Sequence, residues 1–103
     1  MKIVGVTRCM TGIAHTFIAK EKLEDSAKEL GHEIKIEAQG TGGIEDALTE
    51  EDIKEADAVI IAADTKIKGK ERFKGKPVVE VPIKTVMKSP KSLINTVAKK
   101  INK

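Results

Sequence analysis

The stretch that decides the fold is IVGVTRCMTGIAHTFIAKEKLEDSAKEL, residues 3–30. It opens with the apolar run IVGV (3–6), which is typical of a short buried strand. A turn-like segment covers residues 7–12, and from residue 14 to residue 30 the apolar side chains recur at helical spacing. Gly31 then favours a helix end in the left-handed conformation. We therefore predict a strand, a tight turn and an amphipathic helix.

Three more segments of the chain have the character of strands. Residues 34–38 alternate apolar and polar side chains, which predicts an edge strand with one polar face, and QGTGG (39–43) predicts a loop. AVIIAA (58–63) is continuously apolar and is typical of a central strand covered on both faces. VVEV (78–81), which ends at Pro82, predicts a final strand.

Two further helices are indicated by their first residues. Thr49 and Asp52 have the spacing of a capping box, which predicts a short helix through about residue 55. Ser89 and Pro90 supply an N-cap and a first-turn proline for a closing amphipathic helix.

Strands and helices alternate along the chain, which favours a parallel sheet with helices on both faces. The most apolar segments, 3–6 and 58–63, take the central positions and give the strand order 2-1-3-4. We predict an α/β fold: one domain over residues 1–103, a Rossmann-like three-layer sandwich with a four-stranded parallel sheet. Ligands of such sheets bind beyond the carboxyl ends of the strands, where the turn after the first strand lies.

The composition narrows the classes of function. The chain has two Phe and neither Tyr nor Trp, which argues against stacking on single-stranded nucleic acid, so no nucleic-acid partner is expected. We see no leader peptide and no apolar run approaching the ~20 residues of a membrane span. A single Cys suits a reducing compartment. We expect a cytoplasmic protein that needs neither a cofactor nor a metal.

Charge is distributed unevenly along the chain. Residues 1–65 hold 7 Lys or Arg against 14 Asp or Glu, whereas residues 66–103 hold 12 against 2. Such a basic end can face an acidic protein, a membrane surface or a phosphorylated partner. It can equally be a solvated lysine-rich surface.

The candidate catalytic residue is Cys9, between the first strand and the first helix. A helix N-terminus favours an anion, and Gly12 allows successive backbone N–H groups to point inward around it. The same field favours the thiolate, which is the nucleophilic form of cysteine. A thiolate in a phosphate-sized nest can attack a phosphoryl group. A lone Cys is also compatible with a small buried apolar residue, so residue types alone leave both readings open.

The rest of the loop supplies the other candidate phosphate-binding residues: Met10, Thr11, Gly12, Ile13, Ala14, His15 and Thr16. The two Thr hydroxyls can bind phosphoryl oxygens or cap the helix, and His15 can stabilise phosphate charge. Candidate accessory residues are Arg8, Gln39 and Asp64, which adjoin the predicted ends of strands.

The segment CMTGIAHTF (9–17) closely resembles the CPTGIAHT loop of the fructose-specific IIB domains of the bacterial phosphoenolpyruvate-dependent sugar phosphotransferase system (PTS). The similarity spans nearly the whole chain and continues in GHEIK (31–35), EAQG (37–40), LTEEDI (48–53), ADAVIIAAD (56–64) and RFKGKPV (72–78). Met10 stands where the family usually has proline, which leaves the backbone of the loop freer and one more N–H available.

The resemblance implies a role in phosphoryl relay. Cys9 would accept phosphate from a phosphohistidine of a IIA protein or domain and pass it to fructose or a related sugar held by the membrane-embedded IIC transporter. The implied location is cytoplasmic, with membrane association through IIC.

Two other functions remain open at the level of residue types. Cysteine-dependent phosphatases use a similar loop, but they have an Arg six residues after the nucleophile, where this chain has His15. A non-catalytic regulatory module that binds a partner through its basic end is the third reading.

Overall fold

The computed structural model describes residues 2–8, 13–40 and 43–101, and for residues 13–15 and 101 the description is limited to the backbone. The described strands are β1 (Lys2–Arg8), β2 (Glu33–Gly40), β3 (Gly43–Glu45), β4 (Ala58–Ala63) and β5 (Val78–Val81). The described helices are α1 (Ile13–Glu29), α2 (Glu50–Glu55), α3 (Ile83–Lys88) and α4 (Pro90–Ile101), with a 3₁₀ turn over Lys70–Phe73.

The sheet has the order β3-β2-β1-β4-β5. β1 runs parallel to both β2 and β4, and β4 runs parallel to β5. These four strands stand in the predicted order, which confirms the α/β class. β1 and β4 are the central strands, as their continuously apolar sequences predict.

A fifth strand, β3, corrects the predicted strand count. It pairs antiparallel with β2, with Gly40 opposite Gly43 and Ala38 opposite Glu45. All three of its residues are exposed, so no apolar alternation marks it in the sequence. Backbone pairing with β2 defines this strand, and the last three residues of β2 therefore do not form an edge.

One face of the sheet is covered by α1, α3 and α4. Its core is entirely aliphatic and draws on strands and helices alike: Ile3, Ala19, Leu23, Ala27, Ile36, Ile60, Ile83, Val86, Leu93, Ile94 and Val97. The six-residue α3 was not predicted, because two buried side chains, Ile83 and Val86, are too few to show a helical period.

The opposite face is covered by shorter elements. Its core contains Val4 and Val59 from the sheet, Ile53 from α2 and Phe73 from the 3₁₀ turn. The predicted capping box of α2 is present: Asp52 N–H donates to Thr49 Oγ1 at 3.1 Å and Thr49 N–H donates to Asp52 Oδ2 at 3.0 Å. Helices on both faces make the fold a three-layer sandwich, as predicted.

Two glycines shape the unit that carries the candidate site. Gly31 has φ of 79°, and His32 N–H donates to Ala27 O at 2.8 Å, which ends α1 in the predicted left-handed conformation. A Cβ at Gly5 would lie 2.7 Å from Ile36 Cδ1 and 2.8 Å from Ile60 O, so the neighbouring strands leave no room for a side chain there.

Candidate functional site

The candidate site lies at the junction of β1 and α1. β1 ends at Arg8 and α1 begins at Ile13. The predicted nucleophile Cys9 and the loop residues Met10, Thr11 and Gly12 lie between them, outside the described residues. Ile13, Ala14 and His15 form the first turn of α1 together with Thr16, so this part of the predicted loop is helical. Cys9 thus directly follows a central strand, four residues before a 17-residue helix.

The carboxyl ends of three parallel strands are level at this edge of the sheet. Arg8 is paired with Gln39 of β2 on one side and with Ala63 of β4 on the other. β2, the next strand along the chain, lies on one side of β1, and β4 lies on the other side of β1. The Cys9 loop therefore begins at the topological switch point of the sheet, where ligands of such folds bind.

A buried hydrogen bond attaches α1 to the end of β1. Thr7 Oγ1 donates to Thr16 O at 3.1 Å. Thr7 was missed by sequence reasoning, because residues 7–12 were predicted as a turn, whereas Thr7 and Arg8 are the last two residues of β1. This bond fixes the first turn of the helix relative to the strand that ends beside Cys9.

Thr16 is buried, at 1% exposure, and its hydroxyl has no hydrogen-bond partner among the described residues. It lines a cavity of about 370 Å³ together with Phe17, Ala38 and Ile44. A buried hydroxyl without a partner is uncommon in folded proteins. Thr16 was predicted either to bind a phosphoryl oxygen or to cap α1, and its hydroxyl makes no capping bond among the described residues.

Asp64 lies next to Arg8, as expected for a residue that follows β4. Asp64 N–H donates to Arg8 O at 3.1 Å, and Asp64 Oδ1 accepts from Ile83 N–H at 3.2 Å. Its carboxylate therefore binds the start of α3. Asp64 also lines a cavity of about 750 Å³ at the carboxyl ends of β4 and β5.

Gln39 is buried, at 2% exposure, and its side chain binds the connection after β4. Its Nε2 donates to Lys68 O at 2.9 Å, and its Oε1 accepts from Lys68 N–H at 2.8 Å. Nε2 also donates to Glu37 Oε2 at 2.7 Å. The predicted accessory residue thus holds a neighbouring segment in place.

Glu37 forms a buried ion pair that the sequence did not reveal. At 1% exposure, its carboxylate accepts two hydrogen bonds from Arg72, Nη1 to Oε1 and Nη2 to Oε2, both at 3.0 Å. Burial alone would raise the pKa of Glu37, but hydrogen bonds from Arg72, Gln39 and the Leu48 N–H lower this pKa below its ordinary value. The exposed polar face predicted for the second strand is therefore wrong at Glu37, and Gln39, predicted to lie in a loop, belongs to β2; the connection after β4 covers both side chains.

Within the described part of the chain, no helix combines the length and the apolar character that crossing a membrane requires.

Comparison with known proteins identifies the family. A family model described as "PTS system, Lactose/Cellobiose specific IIB subunit" matches residues 4–96. The chain is 50% identical over 93 residues to the fructose-specific EIIABC component of Bacillus subtilis, covering 90% of this chain but 14% of that protein. It is 45% identical over 96 residues to the fructose-like EIIB component 2 of Escherichia coli K12, covering 93% of this chain and 91% of that protein.

Solved structures agree with these relatives. A domain of the fructose-specific IIABC component of Borrelia burgdorferi superposes with a TM-score of 0.90 at 45% identity, covering 95% of this chain and 93% of that one. The enzyme IIB subunit of a PTS from Escherichia coli K12 superposes with a TM-score of 0.92 at 36% identity, covering 98% and 94%. The chain therefore belongs to the IIB family of PTS components, the phosphoryl-relay subunits of sugar phosphotransferase systems, and to its fructose-type members.

Proposed function

We propose that Cys9 carries the phosphoryl group of this relay. In the first step its sulfur attacks the phosphorus of a phosphohistidine on a IIA protein or domain. The P–N bond breaks as the S–P bond forms, and the thiol proton ends on the released imidazole. In the second step a sugar hydroxyl held by the IIC transporter attacks the same phosphorus, the S–P bond breaks, and the hydroxyl proton ends on the sulfur.

The observation that carries the proposal is the position of Cys9 between the end of β1 and the N-terminus of α1. The unpaired N–H groups of a helix N-terminus favour an anion, and the first turn of α1 is attached to β1 through Thr7. A site built on a central strand and a long helix can hold a phosphoryl group in one orientation. Catalysis then consists mainly of positioning and charge stabilisation.

Neighbouring residues of the junction take supporting roles. The Thr16 hydroxyl, buried without a partner among the described residues, can donate to a phosphoryl oxygen. Thr11 and His15 are proposed to donate in the same way, and Arg8 to add positive potential. Met10, Gly12, Ile13 and Ala14 contribute backbone N–H groups to the nest.

Residues 1–103 are proposed to work as one fructose-type IIB domain in the cytoplasm, meeting the membrane through IIC. Fructose or a related sugar is the proposed acceptor, supported by the fructose-specific and fructose-like relatives. The relay needs no metal and no cofactor, because phosphohistidine supplies the phosphoryl group.

A transfer assay tests this function. The purified chain is mixed with the ³²P-phosphohistidine form of the IIA domain from the Bacillus subtilis relative, and label on the chain is followed with time. We expect label on the wild type and none on Cys9→Ser or Cys9→Ala, while both variants keep the wild-type melting temperature. Because Cys9 is the only Cys, alkylation with iodoacetamide should block labelling, and prior phosphorylation should protect the chain from alkylation.

Label that persists on Cys9→Ser would contradict the proposal. So would steady hydrolysis of p-nitrophenyl phosphate by a wild type that takes no label, since that result would favour the phosphatase reading.

A further inference from the structure

The connection after β4 passes beside the candidate site. It leaves the end of β4 at Asp64, whose N–H is bonded to Arg8, and by Lys68 it is bonded to Gln39 on β2. β1 lies between β4 and β2, which are about 10 Å apart when two strand spacings are added. Residues 65–69, here called the 65–69 segment, therefore cross the end of β1, one residue before Cys9.

The first contact that fixes this segment is made by Gln39. Its side-chain amide binds both the N–H and the C=O of Lys68, as a neighbouring strand would. Gln39 is itself paired with Arg8 in the sheet. The backbone of Lys68 is thus held at the level of the residue that precedes Cys9.

The second contact is made by Arg72. Its Nε donates to Gly69 O at 2.8 Å, and its Nη2 donates to Lys68 O at 3.3 Å. The same guanidinium makes the two bonds to the buried carboxylate of Glu37. Because the planar group is held by a rigid two-point contact, the carbonyls that it binds are fixed relative to β2.

The 65–69 segment has two charged side chains, and both are lysines. Lys66 and Lys68 are exposed, and none of the ion pairs among the described residues involves either of them. Lys66 lines the 750 Å³ cavity, where the Glu80 carboxylate pairs with Lys70 and Asp64 binds the Ile83 N–H. The segment therefore presents two ammonium groups at the carboxyl-end edge of the sheet, where β1 ends one residue before Cys9.

We propose that the 65–69 segment is one wall of the docking site for the phosphorylated donor protein, and that Gln39 and the Glu37–Arg72 pair are positioning residues for that wall. This inference rests on the proposed phosphoryl transfer to Cys9. A phosphoryl group carries about two negative charges near neutral pH, so Lys66 and Lys68 attract the donor while it is phosphorylated. Transfer moves that charge onto this chain, which weakens the attraction and helps the spent donor to leave.

The lysines are tested with kinetics of labelling by the ³²P-phosphohistidine form of the Bacillus subtilis IIA domain. We expect the double variant Lys66→Gln/Lys68→Gln to raise KM for this donor about three- to tenfold, with little change in kcat. We also expect its kcat/KM to depend less on salt, because exposed charges at an interface act mainly on the rate of association.

Two variants provide matched controls. Lys99→Gln/Lys100→Gln removes the same charge from the exposed surface of α4 and should leave KM unchanged. Lys66→Arg/Lys68→Arg keeps the charge and should retain the wild-type KM and salt dependence.

The positioning role is tested with Gln39→Leu. We expect faster hydrogen exchange at the Lys68 amide, whose acceptor is lost, together with a raised KM for the donor and an unchanged kcat. The control Ser26→Ala removes a different buried polar side chain, on α1, and should change neither the exchange rate of the Lys68 amide nor the KM for the donor. Should Gln39→Leu fail to fold, the lysine variants still decide the inference.

The outcomes separate the two proposals. A wild type that takes no label at Cys9 overturns the proposed function itself. A labelled wild type whose KM and salt dependence match those of Lys66→Gln/Lys68→Gln overturns the docking wall. An equal rise in KM for Lys99→Gln/Lys100→Gln also overturns the docking wall, since the effect would then come from the net charge of the chain and not from the position of the lysines. Faster exchange at Lys68 in Gln39→Leu without a change in KM overturns the positioning role.

Discussion

The two faces of the sheet are closed in different ways. On one face, α1, α3 and α4 cover β1 and β4 with aliphatic side chains such as Leu23 and Ile94. On the other face, the six-residue α2 and the four-residue 3₁₀ turn cover a smaller area. There the apolar core is supplemented by the Glu37–Arg72 pair, the Gln39 contacts and the capping box of α2.

The comparison shows what each kind of covering element needs. A 17-residue helix buries enough apolar surface to be held mainly by packing, with the single buried hydrogen bond from Thr7 at its first turn. A short turn buries little, so directional bonds must set its position. The segment that crosses the end of β1 belongs to this second face, and its geometry is specified by polar contacts that allow little displacement.

Arg72→Ala tests the polar contacts of the second face and should have the largest effect on the free energy of unfolding. The substitution leaves the Glu37 carboxylate buried without its cation, and removing one partner of a buried pair costs about 3–5 kcal/mol. Urea denaturation measures the free energy of unfolding. The double variant Glu37→Gln/Arg72→Met, which removes both charges, should recover much of the loss. A cost below about 1 kcal/mol, the value of an exposed ion pair, would show that the pair does not hold this face.

Leu23→Ala tests the aliphatic face. Leu23 is fully buried in α1, and truncation of a buried leucine should lower the free energy of unfolding by about 3 kcal/mol through lost burial and the cavity left behind.

The pH dependence of these costs distinguishes the two faces of the sheet. The Glu37–Arg72 contribution is present above the unfolded pKa of Glu37 and is lost as pH falls through its lowered folded pKa. The cost of Arg72→Ala should therefore shrink in acid, whereas a similar decrease for Leu23→Ala would contradict the contrast.

Thr49→Ala tests the capping box on the short face. Loss of an N-cap hydroxyl should cost about 1 kcal/mol of unfolding free energy, because the Asp52 N–H loses its acceptor. Thr96→Ala is the matched control, since that exposed threonine lies within α4 and its hydroxyl donates to Ser92 O of the same helix. Equal costs for the two variants would mean that the cap contributes nothing specific.

The smallest expected effect is the titration of Asp52. A hydrogen bond from Lys35, followed by those from the Thr49 backbone and hydroxyl, lowers the pKa of Asp52 from 3.8 to about 2. Because the folded pKa is lowered, the stabilisation is complete above about pH 4 and is lost as pH falls towards 2. Carboxyl-carbon NMR can follow Asp52 directly. The pKa should rise in Lys35→Gln, and an unchanged value would remove Lys35 as its main cause.

Sequence reasoning recovered the parts of this fold that rest on local pattern. The apolar runs at 3–6 and 58–63 became the central strands, the Thr49–Asp52 spacing became a capping box, and Gly31 ended α1. Each of these signals is contained within a few neighbouring residues, so it can be seen without the rest of the molecule. The family was also identified from the loop that begins at Cys9.

The features that were missed depend on contacts between distant residues. β3 has three exposed residues and exists because β2 lies beside it. Glu37 and Gln39 alternate with apolar residues as solvent-facing side chains do, yet both are buried by the connection that carries Arg72, 35 positions after Glu37. No local pattern contains the pairing of a carboxylate with a guanidinium so far along the chain.

The amino-acid sequence by itself therefore determined the four parallel strands and their order, the helices α1, α2 and α4, and the family to which the chain belongs, but neither β3 nor α3. Only the tertiary structure decided that Glu37 and Gln39 of β2 are buried, that Arg72 neutralises Glu37, and that the 65–69 segment lies across the end of β1. The physical reason is range: hydrophobic periodicity is a property of neighbouring residues, whereas burial and ion pairing arise when folding brings distant residues together.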